Sequence, residues 1–167
     1  MEQSKKYELL INDTIELRGG VTLFRIKALI SFGNVKKGEL GGYVEKEDNL
    51  CHSGNAWVYG NAKVTGKARV FGNAEVTGSA KVTGYAKVTE NARVTGNTRV
   101  TGNARVSANA IVTGDALVSG NAKVYDNAEV TGNAKVSGNA LVSGNAKVYD
   151  NARVTGDAEV TGGELLN

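Results

Sequence analysis

Between Asn55 and Val160 the chain repeats one six-residue phrase of apolar and polar positions, most often Asn-Ala-Lys-Val-Thr-Gly. Valine falls at every sixth position from Val58 to Val160, eighteen times without an insertion. Alanine stands two residues before each valine, with Thr98 the single exception. In Ala-x-Val the two apolar residues flank an outward one, which is strand periodicity. Gly-Asn follows, and both residue types tolerate a corner with positive φ. Lys67, Ser79 and Tyr85 stand where asparagine is expected and mark irregular corners. A short fixed period of strand and corner predicts an all-β coil in which each hexad forms one wall.

Residues 1–54 are different in kind. Residues 1–6 are polar and are expected to fray. Thr14–Leu17 alternates, Arg18-Gly19-Gly20 turns, and Val21–Ile30 reads as a strand, so a β-hairpin is predicted. Phe24, Phe32 and most of the leucine and isoleucine lie in this segment. It is expected to cap the coil, whose first turn would otherwise expose unpaired backbone groups. Val44 and Leu50 are six apart, but Val58 lies eight beyond Leu50. An imperfect first coil with two extra residues near Cys51–Gly54 is therefore predicted. The division is 1–54 for the cap and imperfect coil, and 55–167 for the regular repeat. At the far end Leu166 lies six after Val160, which predicts the start of a further coil there.

The phrase Val-Thr-Gly-Asn-Ala-Lys resembles the hexapeptide repeat of left-handed parallel β-helices, departing only where Thr, Ser or Tyr follows the valine. The resemblance covers residues 55–166. It implies a left-handed parallel β-helix of about six regular coils, three hexads to a coil, with an N-terminal β cap. A second resemblance covers roughly residues 22–62. Phe32–Val44, Asn49-Leu50 and Gly54–Tyr59 look like the opening of bacterial and prophage hexapeptide proteins that carry an acyltransferase label on fold alone. It implies a shared cap and a phage or mobile-element origin, and it supplies no catalytic site.

Acyl transfer from acetyl-CoA is the activity that the hexapeptide resemblance brings first. Such enzymes use a histidine base, a loop thrown out of the coil and a C-terminal helix. The chain has one histidine, His52, at the cap junction, and an unbroken repeat beyond it. A base also needs an orienting partner, and only Glu47 and Asp48 are near in sequence. Catalysis is not expected, and no catalytic residue, metal or cofactor is assigned. Cys51 and His52 lack a second ligand pair, and the glycines match no nucleotide fingerprint.

Charge is more informative than composition. The net charge is only +3, yet residues 55–108 carry eight basic groups against Glu75 and Glu90, whereas residues 109–167 carry four against seven acidic. One outward column reads Lys63, Lys81, Arg99, Leu117, Lys135, Arg153, and another Arg69, Lys87, Arg105, Lys123, Leu141, Glu159. Like charges stacked at strand spacing repel, so such a ladder is a candidate anion site, nucleic acid included. Lys63, Lys81, Arg99, Arg69, Lys87 and Arg105 are its members. The plainer role for these cations is solubility and edge protection.

Ile111, Leu117 and Leu141 replace charges at outward positions, one on each wall. With Tyr125, Tyr149, Leu165 and Leu166 they are the candidate contacts to a partner or a second copy. The expected function is thus non-catalytic: a stiff rod for protein association, forming a dimer or trimer end to end or side by side. The prophage resemblance implies that its partner is a host protein, such as a defence component, in the host cytoplasm. The alternatives are the acyltransferase and nucleic-acid binding along the ladder. One cysteine, no leader and no apolar run long enough to span a bilayer predict a soluble cytoplasmic protein.

Overall fold

The computed structural model describes residues 4–167. The cap opens with two antiparallel strands, β1 (Tyr7–Leu17) and β2 (Val21–Ala28), joined across Gly19 and Gly20 at φ 94° and 79°. Residues 11–13 bulge out of β1, where Leu10 pairs with Arg25 but Thr14 already pairs with Phe24. A third strand, β3 (Leu40–Val44), runs antiparallel to β2 on one side and parallel to Lys63–Val64 on the other. This strand converts hairpin into coil.

Two small residues make that conversion sterically possible. A Cβ on Gly41 would lie 2.6 Å from both Ile26 Cγ1 and the Val58 carbonyl oxygen, and one on Gly42 would lie 2.6 Å from the Ala62 carbonyl oxygen. The coil then proceeds as two-residue strands from Trp57–Val58 onward, every sixth residue, to Glu159–Val160. They stack in three parallel sheets. The first wall has nine strands, running from β1, β2 and β3 through Lys63–Val64 up to Arg153–Val154. The second wall has six, from Arg69–Val70 to Glu159–Val160, and the third has seven, from Trp57–Val58 to Glu164–Leu165. The protein is an all-β parallel solenoid of about seven turns.

The register is eighteen residues throughout the regular part, as in Lys63 opposite Lys81 and Arg105 opposite Lys123. In the first coil Val44 pairs with Val64 and Leu50 bridges to Val70, each twenty apart, so the two extra residues lie between Leu50 and Val58 as expected. Valine and alanine fill the interior. Every repeat valine from Val58 to Val148 has no exposed surface, and neither has any repeat alanine from Ala56 to Ala146. One apolar cluster runs from Tyr7 in the cap to Val154.

Four expectations need correction. The segment 1–6 was expected to fray; residues 1–3 lie outside the described part, but Lys6 is buried and its carbonyl accepts from the Leu29 amide at 2.9 Å. Positive φ at the corners belongs to the glycine, not to the asparagine after it. Where glycine is absent, Glu90, Ala108, Asp126 and Asp150 take φ of 55–59° at that same place. The corners at Lys67, Ser79 and Tyr85 are regular in backbone, each amide donating to the glycine carbonyl seventeen residues on. Finally, Leu165 and not Leu166 continues the interior column. It pairs with Val148, because the corner at Gly162-Gly163 is one residue short, and Leu166 is 57% exposed.

Candidate interaction surfaces

The asparagines form side-chain ladders. Asn73 donates to Asn91, Asn91 to Asn109, Asn109 to Asn127 and Asn127 to Asn145, at 3.1–3.3 Å. A second run links Asn103, Asn121, Asn139 and Asp157. Asp157 can only accept, and it ends its run. Asp115 likewise accepts from Asn97 at 3.1 Å and has no amide hydrogen to pass on, so the third run breaks there. These amides occupy the corners, leaving the flat walls to the residues on either side of each valine.

On the first wall the outward column is Tyr43, Lys63, Lys81, Arg99, Leu117, Lys135, Arg153. Both predicted ladders are assembled in the expected order. The second wall carries Arg69, Lys87, Arg105, Lys123, Leu141 and Glu159. The third carries Trp57, Glu75, Arg93, Ile111, Glu129, Lys147 and Glu164, and there Arg93 Nε lies 3.4 Å from Glu75.

The apolar contact candidates are scattered, with one exception. Ile111, Leu117 and Leu141 sit half-buried on separate walls. Tyr149 donates its hydroxyl to Glu164 at 2.8 Å, and that bond raises the phenol pKa. Leu165 packs against the end of the core. Tyr125 and Leu141, however, line one shallow groove on the second wall with Arg105, Ser107 and Lys123. Sequence separation of sixteen hid this adjacency, although the eighteen-residue register contains it.

The densest side-chain chemistry lies at the cap junction. Trp57 occupies an outward position yet is wholly buried, with Phe32 5.3 Å and Tyr7 6.0 Å from its ring, both edge-on. The Tyr7 hydroxyl lies 2.7 Å from the Leu50 carbonyl and 2.8 Å from that of Glu47. Burial, aided by Glu47, holds its pKa well above the usual phenol range. The Lys6 ammonium donates to the Ala56 carbonyl at 2.7 Å and the Gly54 carbonyl at 3.3 Å, over the face of Phe32. Burial lowers its pKa to about 8.

His52 is part of this packing. Its Nδ1 accepts from the Lys6 amide at 3.1 Å, its ring stacks on Tyr7 at 4.3 Å, and its Nε2 is buried without a hydrogen-bond partner, 3.8 Å from Glu47. Burial lowers its pKa, against the pull of Glu47. At Cys51 burial pushes the thiol up, but hydrogen bonds from Ser53 with Lys6 and Arg69 nearby outweigh it and leave the pKa lowered. Among the described residues no three His, Cys, Asp or Glu converge as a metal set, and no helix is long and apolar enough to cross a membrane.

One turn of the coil, Lys147–Val148 through Arg153–Val154 to Glu159–Val160, contributes a strand to each wall. That turn also matches a known repeat. A family described as the YdcK Beta solenoid repeat matches residues 146–162. The YdcK-repeat match spans one full turn and nothing of the cap. It agrees with the solenoid architecture and names no activity. No curated protein matches the chain.

Proposed function

We propose that the protein is a rigid, non-catalytic scaffold that pairs with a second copy through its second wall. The observation that carries this is the grouping of Tyr125 and Leu141 in one groove with Arg105 and Lys123, and the change of charge sign on the next rung, Glu159. On that wall the rungs run Arg105, Lys123, Leu141, Glu159. Turn a second copy end for end, with the two-fold axis between Lys123 and Leu141. Arg105 then faces the partner's Glu159 twice, and Lys123 lays its aliphatic stem over the partner's Leu141 twice. Such self-complementarity is what a two-fold interface requires. We take the coil to be left-handed, as the six-residue phrase implies, and the likeness of residues 22–62 to prophage proteins makes a host protein a natural further partner.

The acyltransferase alternative is less well supported. His52 spends one ring nitrogen on the Lys6 amide and buries the other, so it has no free edge for a substrate proton. Acetyl-CoA binding with turnover lost in His52→Ala would overturn the scaffold reading. Light scattering across a concentration series tests the dimer directly. Glu159→Arg should shift the protein to monomer, and adding Arg105→Glu to the same chain should restore the dimer. A wild-type monomer at the highest concentration, or failure of the reversed pair to rescue, defeats it.

A further inference from the structure

The three walls share one backbone, one period and one core, so differences between their outward columns are not imposed by the fold. On the third wall acids and bases intermix: Glu75 is followed by Arg93, and Glu129 by Lys147. Each cation there has an anion one rung away. The first wall has no such balance. Above Tyr43 it carries five cations and Leu117 in six rungs, and no acid. None of the five forms an ion pair among the described residues. Asp115, on the adjoining corner, is engaged by the Asn97 amide. If these cations served solubility alone, alternation as on the third wall would serve as well and avoid the stacking repulsion.

A second column runs beside the first: Thr65, Thr83, Thr101, Ser119, Ser137 and Thr155, each following its rung's valine. Thr83 and Thr101 lie 3.0 Å apart, oxygen to oxygen. Cations beside hydroxyls are the side chains that hold phosphate oxygens. The wall offers Leu117 as its one apolar residue above Tyr43, whereas a protein partner would need a cluster of apolar or aromatic anchors. No aromatic column is present for stacking unpaired bases.

We propose that the first wall binds the phosphate backbone of double-stranded nucleic acid without reading its sequence. At about 4.8 Å per rung, Lys63 to Arg153 spans about 24 Å, enough for several phosphates along one face of a duplex. The surface is separate from the second wall, so binding and self-pairing can fail independently.

Fluorescence anisotropy with two 20-base-pair DNA duplexes of unrelated sequence, across a salt series, tests it. Both duplexes should bind equally, with log K falling against log salt at a slope between about −3 and −4.5, five cations setting the limit. The exposed pair Lys81→Gln and Arg99→Gln should cut that slope by about 1.8 and weaken low-salt binding about tenfold or more. The third-wall pair Arg93→Gln and Lys147→Gln should leave both unchanged, with circular dichroism confirming the fold in each variant. Absent binding, binding indifferent to Lys81 and Arg99, or polyglutamate bound as tightly as duplex would overturn the proposal. The last outcome would assign the wall to an acidic protein instead.

Discussion

The cap junction and the column above it are built on opposite principles, though one sheet and one apolar cluster run through both. At the junction each side chain has a distinct job. Trp57 fills space between Phe32 and Tyr7, Lys6 caps two carbonyls, and Asn49 spans from the Lys46 amide to the carbonyls of Gly66 and Ala68. In the column the same alanine, valine and asparagine recur, and each coil touches only its neighbours. The contrast teaches where stability is vulnerable. A repeat array behaves as a sum of similar units and interfaces. The junction has no spare copy, so damage there frees an end of the stack.

The largest expected effect comes from removing the cap's anchor. Trp57 heads the fully buried side chains by volume, and Trp57→Ala should cost about 3–5 kcal/mol at the junction. Hydrogen exchange would locate the damage. Protection should fall in β1, β2, β3 and the first coil, while the amides of coils around Val118 and Val136 stay protected. Uniform loss from end to end would show that cap and column melt as one unit, erasing the distinction.

A smaller effect, with a pH signature, comes from Lys6. Unfolded, its amine titrates near its ordinary 10.5; folded, at about 8. Between those values the unfolded chain holds more protons, so stability rises with pH. Tyr7 acts in the opposite sense: its pKa is raised, so above about pH 10 the unfolded chain releases a proton the folded chain retains, and stability falls. Lys6→Met removes the donors to Gly54 and Ala56, a loss of about 1–3 kcal/mol. It also removes the cost of burying the amine, an offset that is full below about pH 8 and shrinks as the pH rises toward 10.5. The variant should therefore be more damaging at pH 9 than at pH 7, as denaturant midpoints at the two values would read. Equal damage at both would mean that burial does not perturb Lys6.

This contrast also separates what could be read from the sequence. The column was legible because Ala-x-Val at a fixed interval has one economical packing, and eighteen-residue arithmetic alone put Lys81 over Lys63 and Ile111, Leu117 and Leu141 on separate walls. The junction was not. Lys6 looked like a solvated terminus because a lysine's burial depends on carbonyls fifty residues away. Asparagine was assigned to backbone freedom when the preceding glycine supplies that, and its own contribution is a side-chain ladder visible only once Asn91 stands over Asn73. Leu165 was missed because one residue is dropped at Gly162-Gly163, and a fixed count cannot anticipate a corner that shortens. Of the candidate surfaces, the stacking order of the ladders was foreseen, whereas the Tyr125–Leu141 groove was implicit in the same register but was not drawn from it.

The gentlest test concerns the one place where the column breaks its own rule. Thr98 occupies an alanine position, fully buried, and its hydroxyl has no hydrogen-bond partner. An unpaired buried hydroxyl is unfavourable, and Ala80 and Ala116 hold the same position one turn to either side. Thr98→Val keeps the shape and removes only the oxygen, so it should stabilise by about 1 kcal/mol, or about 2–4 °C in Tm for a chain of this size. Thr98→Ala also removes a methyl, and comparison of the two separates desolvation from packing. If valine gains and alanine does not, the site needs the volume and Thr98 fills a gap at the cost of its hydroxyl. If alanine gains more, threonine is overpacked and the column prefers its own repeat. If both lose stability, the hydroxyl has a partner, and Thr98 joins the junction residues as a position set by specific chemistry.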